Sequence, residues 1–111
     1  MKNNISMKDF YEKYNNEELT ILDVRENHEY AAGHIPSAQN FSLSSLGIEF
    51  TKLDKNQKYY VICQAGGRSA RAYDFLEAQG YTVINVEGGM NNWPGEKNKI
   101  LNNKNNQILL Y

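Results

Sequence analysis

The chain has 111 residues, 41% of them hydrophobic, which suits one domain around one modest core. Its 12 basic and 13 acidic side chains leave a formal charge of -1, so no global field draws it to nucleic acid or anionic lipid. No apolar stretch is long enough to span a bilayer, Met1–Ser6 lacks the apolar run of a secretory leader, and the lone cysteine excludes an internal disulfide; a reducing, cytoplasmic setting is expected.

Ser6, with Asp9 three positions on, reads as a helix cap. Met7, Phe10, Tyr11 and Tyr14 follow at helical spacing, and Asn15-Asn16 breaks the pattern. Leu19–Val24 is a short apolar run suited to a buried strand. Arg25–Ala32 is polar and helix-compatible, with Gly33 as its stop. His34-Ile35-Pro36 must be extended, because the residue before a proline is pushed out of the helical region. Ala38–Phe41 reads as a short strand, and Ser42 as the cap of a segment with Leu43, Leu46 and Phe50 on one side. Asn40-Phe41-Ser42 fits a glycosylation sequon, taken as chance in the absence of a leader.

Asp54–Gln57 is a turn, and Lys58–Cys63 is the clearest strand. The pattern predicts a helix over Arg68–Gln79, with Ala72, Phe75, Leu76 and Gln79 at helical spacing and Gly80 as a left-handed terminator. Tyr81–Val86 is a further strand. Glu87-Gly88-Gly89-Met90 opens a last short helix reaching Trp93. Strands thus alternate with helices, which points to an α/β fold with a parallel sheet covered on both faces. Residues 96–111, rich in Asn and Lys, are expected to be a tail, either loosely ordered or a terminal helix. Its tip, Ile108-Leu109-Leu110-Tyr111, is a candidate for pairing with a partner or a second copy.

The chemistry concentrates at Cys63-Gln64-Ala65-Gly66-Gly67-Arg68-Ser69. Cys63 ends a strand, where ligands of open α/β sheets bind. Gly66 and Gly67 let the backbone curl so that successive N–H groups face one centre, and Arg68 and Ser69 open the next helix. A free cysteine ionises near pH ~8.5. A helix terminus supplies only about 0.3–1 kcal/mol, while a hydrogen bond to a charged group supplies about 1.5–3 kcal/mol. The loop amides must therefore do most of the work of keeping Cys63 as a thiolate, with Arg68 adding to it if its head faces the loop. The competing reading is a small buried cysteine at an ordinary strand-to-helix turn; the Gly-Gly-Arg-Ser that follows weighs against it.

Cys-x-x-Gly-x-Arg-Ser resembles the active loop of rhodanese-homology domains, the sulfurtransferases. Leu22-Asp23-Val24-Arg25, Glu29-Tyr30 and Gly33-His34-Ile35-Pro36-Ser37-Ala38 resemble that family's N-terminal signature. Val86-Glu87-Gly88-Gly89-Met90, with Trp93, resembles its C-terminal one. The resemblance implies a five-stranded parallel sheet with helices on both faces, in a domain over residues 1–95 with 96–111 outside it. It implies that the Cys63 thiolate takes a sulfane sulfur from thiosulfate or a persulfide, becomes a persulfide held by amides from Gln64 to Ser69, and passes the sulfur to cyanide or a thiol, including a protein thiol. No cofactor or metal is implied, nor any nucleic-acid or membrane partner, and a monomer is expected. By resemblance Asp23 and Arg25 buttress the loop, Asp23 by orienting its donors or Arg68, and Arg25 by adding positive potential. A plain Arg25–Glu29 ion pair is the alternative.

Four residues separate Cys63 from Arg68, the loop length of the sulfurtransferases; the phosphatase relatives have one more and a wider cradle. A small cysteine-dependent phosphatase or arsenate reductase, or a non-catalytic interaction module of the same fold, are the alternatives. His34 and His28 are weighed as bases and set aside, since a thiolate needs none; His34 is expected to satisfy backbone groups in a turn. Trp93 and the tyrosines are expected to pack the core or the rim of the site.

Overall fold

The structure is a computed structural model that describes residues 3–102 and 108–110. Five strands form one parallel sheet: β1 (Asn4–Ile5), β2 (Ile21–Asp23), β3 (Gln39–Asn40), β4 (Lys58–Ile62) and β5 (Thr82–Val86), in the order β1-β5-β4-β2-β3. The helices are α1 (Met7–Asn16), α2 (Asn27–Ala32), α3 (Leu43–Glu49) and α4 (Gly67–Ala78), with 3-10 turns at Phe50–Lys52 and Gly89–Asn92. The predicted five-stranded parallel sheet with helices on both faces is the observed architecture.

Alternation along the strands sorts the core into two layers. From β2 and β4, Leu22, Tyr59 and Val61 meet Leu46 of α3 and Ala72, Tyr73 and Leu76 of α4. Their neighbours Ile21, Tyr60 and Ile62 meet Phe10 of α1, with Ile35, Val86, Met90 and Trp93. Phe10 and Leu76 are fully buried, each contributing about 1.5–3 kcal/mol through lost apolar exposure. Trp93 packs edge-on against Tyr11 and Tyr14, with centroids 5.1 Å from each.

Local chemistry explains the elements. The Ser6 side chain caps α1 by accepting from the Asp9 amide, as predicted. Ser42 stands at the predicted cap of α3, but its hydroxyl makes no cap bond and pairs with Ser45 Oγ at 2.8 Å instead. Helix α2 begins at Asn27, two residues later than predicted, because Glu26 and Glu29 form a capping box there. On α4 the buried residues are Ser69, Ala72, Tyr73 and Leu76. Gln79 is exposed and closes the helix. Residue 80 has the expected positive φ of 94°.

Beyond the domain core, β6 (Ile100–Asn102) pairs antiparallel with β7 (Ile108–Leu110). A loose end or a terminal helix was expected; a hairpin stands there. Of the apolar tip, Tyr111 lies outside the described residues. A backbone bridge between His34 and Asn98 joins the segment leading into the hairpin to the end of α2. Among the described residues, no helix is long and apolar enough to cross a membrane.

The site follows from the strand order. From β2 the chain crosses outward to β3, and from β4 it crosses the opposite way to β5. The carboxyl ends of β2 and β4, paired Asp23 to Ile62, therefore flank the crevice where the topology reverses.

Candidate active site

Cys63 follows β4 at the floor of this crevice, with 1% of its surface exposed. The Gly66 amide donates to its Sγ at 3.0 Å, and Ser69 Oγ lies 3.4 Å from it. Ser69 is itself buried and fastened to the Gly66 carbonyl at 3.1 Å. Burial pushes the thiol up, but the Ser69 hydroxyl and the amides of Ser69, Gly66 and Ala65 together hold it below the ordinary cysteine value. The Ser69 hydroxyl leads among the groups that favour the thiolate, and the loop amides add to it.

The curl of the loop rests on Gly66, which has φ 116° and directly precedes α4. Gly67, expected to share that role, is instead the first residue of the helix. Ala65 is exposed at the rim.

The two arginines are placed differently from expectation. Arg68 turns its guanidinium to Glu29 of α2, with contacts of 2.6 and 2.9 Å, and makes no bond to Sγ. Arg68 beside it lowers the Glu29 carboxyl to about 2, against the desolvation that would raise it. Arg25 forks onto Asp23 at 2.8–3.2 Å and also donates to the Gly33 carbonyl at 2.7 Å. The expected Arg25–Glu29 pair and the expected Asp23–Arg68 contact are both replaced by this exchange of partners. The reason is reach: Asp23 and Arg25 lie on the same strand end, while Glu29 projects from α2 towards the start of α4.

Gln64 links the pieces. Its Oε1 accepts from Arg25 at 3.0 Å, and its Nε2 donates to Asn91 at 2.7 Å. The Cys63 and Gln64 carbonyls accept from the Met90 and Asn91 amides at 2.8 and 2.9 Å. Gly89, with φ 59°, lies so close that a Cβ there would stand 2.4 Å from the Cys63 carbonyl oxygen. The 3-10 turn is therefore a clamp on the strand end that bears the cysteine. Sequence reasoning missed this clamp and the Glu29 partner; the pair of glycines before Met90 and the Glu26/Glu29 spacing were the available signals. It missed Asn40 as well, whose side-chain amide donates to the Asp23 and Arg25 carbonyls at 3.0 and 2.9 Å.

His34 behaves as expected: it is buried, its Nδ1 lies 2.8 Å from the Tyr30 carbonyl, and its ring stacks on Tyr30 at 3.7 Å. Among the described residues, no cluster of three or more His, Cys, Asp or Glu side chains could hold a metal ion. A cavity of about 280 Å³ lined by Tyr11, Tyr14, Pro36, Trp93 and Glu96 shares no residue with the cysteine loop.

Comparison with known proteins agrees with this geometry. The family model of the rhodanese-like domain matches residues 6–96. A Bacillus subtilis (strain 168) protein named "Putative sulfurtransferase YtwF" is 42% identical over 80 residues, covering 72% of this chain and 78% of the relative. A second, "Putative sulfur carrier protein YrkF" from the same organism, is 39% identical over 83% of this chain; the chain matches only 51% of that protein's length. The crystal structure of SSP1007 from Staphylococcus saprophyticus superposes with a TM-score of 0.78 at 37% identity, covering 84% of this chain and 93% of that one. A rhodanese-related protein from Thermoplasma volcanium gives 0.76 at 38% identity, over 82% and 89% of the two chains. In sequence, in strand order and in the loop that cradles its cysteine, the chain belongs to the rhodanese-like domain family.

Proposed function

We propose that the protein is a sulfurtransferase in which Cys63 carries the sulfur as a persulfide. The observation that carries this reading is the cup itself: a thiol below its ordinary pKa, held by the Gly66 amide at 3.0 Å and by the Ser69 hydroxyl and amide, and almost closed to solvent. The names of YtwF and YrkF lend support from relatives.

In the first half-reaction the Cys63 thiolate attacks the outer sulfur of thiosulfate or of a persulfide. The new Sγ–S bond forms as the donor's S–S bond breaks, and sulfite or the donor thiolate leaves with the electron pair. The outer sulfur, now terminal and anionic, takes over the loop amides from Gln64 to Ser69. In the second half-reaction an acceptor thiolate or cyanide attacks that terminal sulfur and Cys63 leaves as thiolate, a two-step covalent exchange. Arg68 and Ser69 border the cup, while Asp23 and Arg25 brace it through Gln64. No general base is assigned to either step, because the Ser69 hydroxyl and the loop amides favour the thiolate.

Intact-protein mass measured after incubation with thiosulfate, and separately with a small persulfide, tests this. The expected result is a gain of one sulfur atom with at least one donor, absent in Cys63→Ser. An unchanged mass with both donors, with Cys63 shown to be reduced, would overturn the reading.

A further inference from the structure

Both guanidiniums beside the cup are compensated by carboxylates. Arg25 is 4% exposed and tied to Asp23 at 2.8–3.2 Å, and Arg68 is tied to Glu29 at 2.6 and 2.9 Å. Beyond Glu29, Coulomb attraction links Arg68 to Cys63 and to a third carboxylate, Glu26. Further out, exposed Arg71 stands one turn along α4, and exposed Glu87 opens the turn whose Gly88 lies beside Gly66. The loop side chains at Gln64 and Ala65, and the two glycines that follow, carry no charge. The groups in hydrogen-bond reach of the sulfur are loop amides and the Ser69 hydroxyl, and these converge on one atom, Sγ, while Arg68 acts on it only through space.

That arrangement suits one anionic sulfur and offers nothing to a second charge. When the outer sulfur of thiosulfate meets Sγ, its sulfonate end must remain outside the cup, facing a rim with at least as many carboxylates as guanidiniums. An organic persulfide brings no such group. We propose that the donor of this site is an organic persulfide in preference to thiosulfate, and that Glu29 sets the preference by neutralising Arg68. The step balances: Cys63–S⁻ and R–S–SH give Cys63–S–SH and R–S⁻. The Sγ–S bond forms, the donor S–S bond breaks, and the pair leaves on the donor sulfur. The terminal proton is then free to pass to solvent, leaving the anionic persulfide in the amide cup. This inference rests on the sulfur-transfer reading above and names the donor class within it.

The test compares second-order rates of sulfur loading on the full chain, followed by intact mass, with thiosulfate and with 2-hydroxyethyl persulfide. Wild type is expected to load from the persulfide at least about tenfold faster. Glu29→Gln uncovers one positive charge, and a single charge interaction of ordinary strength is worth about tenfold in rate. The variant is therefore expected to shrink the persulfide-to-thiosulfate ratio about tenfold by accelerating the thiosulfate reaction. Mere structural damage would slow both donors together. A wild-type ratio at or below one, or a ratio unmoved in Glu29→Gln, overturns the inference while leaving sulfur transfer intact. If neither donor loads wild type, the sulfur-transfer reading falls and takes this one with it. Should Glu29→Gln fail to fold, the salt dependence of wild type decides. A compensated rim predicts thiosulfate loading that is flat or faster with added sodium chloride, and a steep fall with salt marks an uncovered cationic rim and overturns the proposal.

Discussion

At the scale of single residues, Ser69 and Glu29 carry the sharpest expectations. Ser69 reaches Sγ from the buried side of the cup, where its hydroxyl and amide counter the desolvation of the thiolate. Ser69→Ala removes one hydrogen bond to a charged group, worth about 1.5–3 kcal/mol. Alkylation of Cys63 by iodoacetamide at neutral pH is expected to slow about tenfold or more, with its rate-against-pH curve displaced to higher pH. An unmoved curve would place the activation in the amides alone. The Glu29 carboxyl, at about 2 in the folded protein against 4.5 when free, makes stability depend on pH in the acid range. Its contribution to stability is fully present above the unfolded value of 4.5 and is lost as pH falls towards 2. Urea midpoints measured from pH 6 downwards are expected to fall less steeply below about pH 4.5 in Glu29→Gln than in wild type.

At the scale of elements, the cysteine depends on three pieces meeting: the end of β4, the first turn of α4 and the 3-10 turn at Gly89–Asn92. Two glycines test how they meet. A Cβ at Gly66 would find only the Gly88 amide nitrogen, at 3.9 Å, so Gly66→Ala is strained by its φ of 116° and not by crowding. Its cost is expected to be about 1–2 kcal/mol. At Gly89 the added carbon would stand 2.4 Å from one backbone oxygen and 2.6 Å from another, and the clamp would have to shift. Gly89→Ala is therefore expected to be the more destabilising of the two and to lower the sulfur-loading rate as well. Denaturant melts of the pair, read beside loading by intact mass, check this; a Gly89→Ala protein as stable as Gly66→Ala would refute the clamp.

At the scale of the whole molecule, the two layers of the sheet divide the work. The α1 layer, built on Phe10, Ile21, Tyr60, Ile62 and Trp93, holds no residue of the cysteine loop, whereas the α3–α4 layer includes Cys63 itself. The hairpin of β6 and β7 adds no strand to the five-stranded sheet. We propose that residues 1–95 suffice for the domain, and a chain ending at Gly95 is expected to keep sulfur loading. It is also expected to lose less stability than Phe10→Ala, whose cost should be about 3–5 kcal/mol. The reverse order in urea titrations would assign the hairpin to the core.

How much was legible beforehand follows from what each signal depends on. Local signals served well: Ser6 as a cap, Gly80 at the end of α4, and the alternation of Tyr59 to Ile62 are written in neighbouring residues. Strand β1 was not legible, because its two residues are too few to show a period; the fifth strand rested on family resemblance alone. The cup at Cys63 was foreseeable, since its donors lie within six residues of the sulfur. The partners of the arginines were not. Asp23 took Arg25, and Glu29 took Arg68 across 39 residues of chain, because packing brings α2 to the start of α4. Chain order dictated the amides around Cys63, as such bonds form within one loop. The balance of charge around them came from tertiary contact, where Coulomb attraction acts on distance in space and is blind to distance along the backbone.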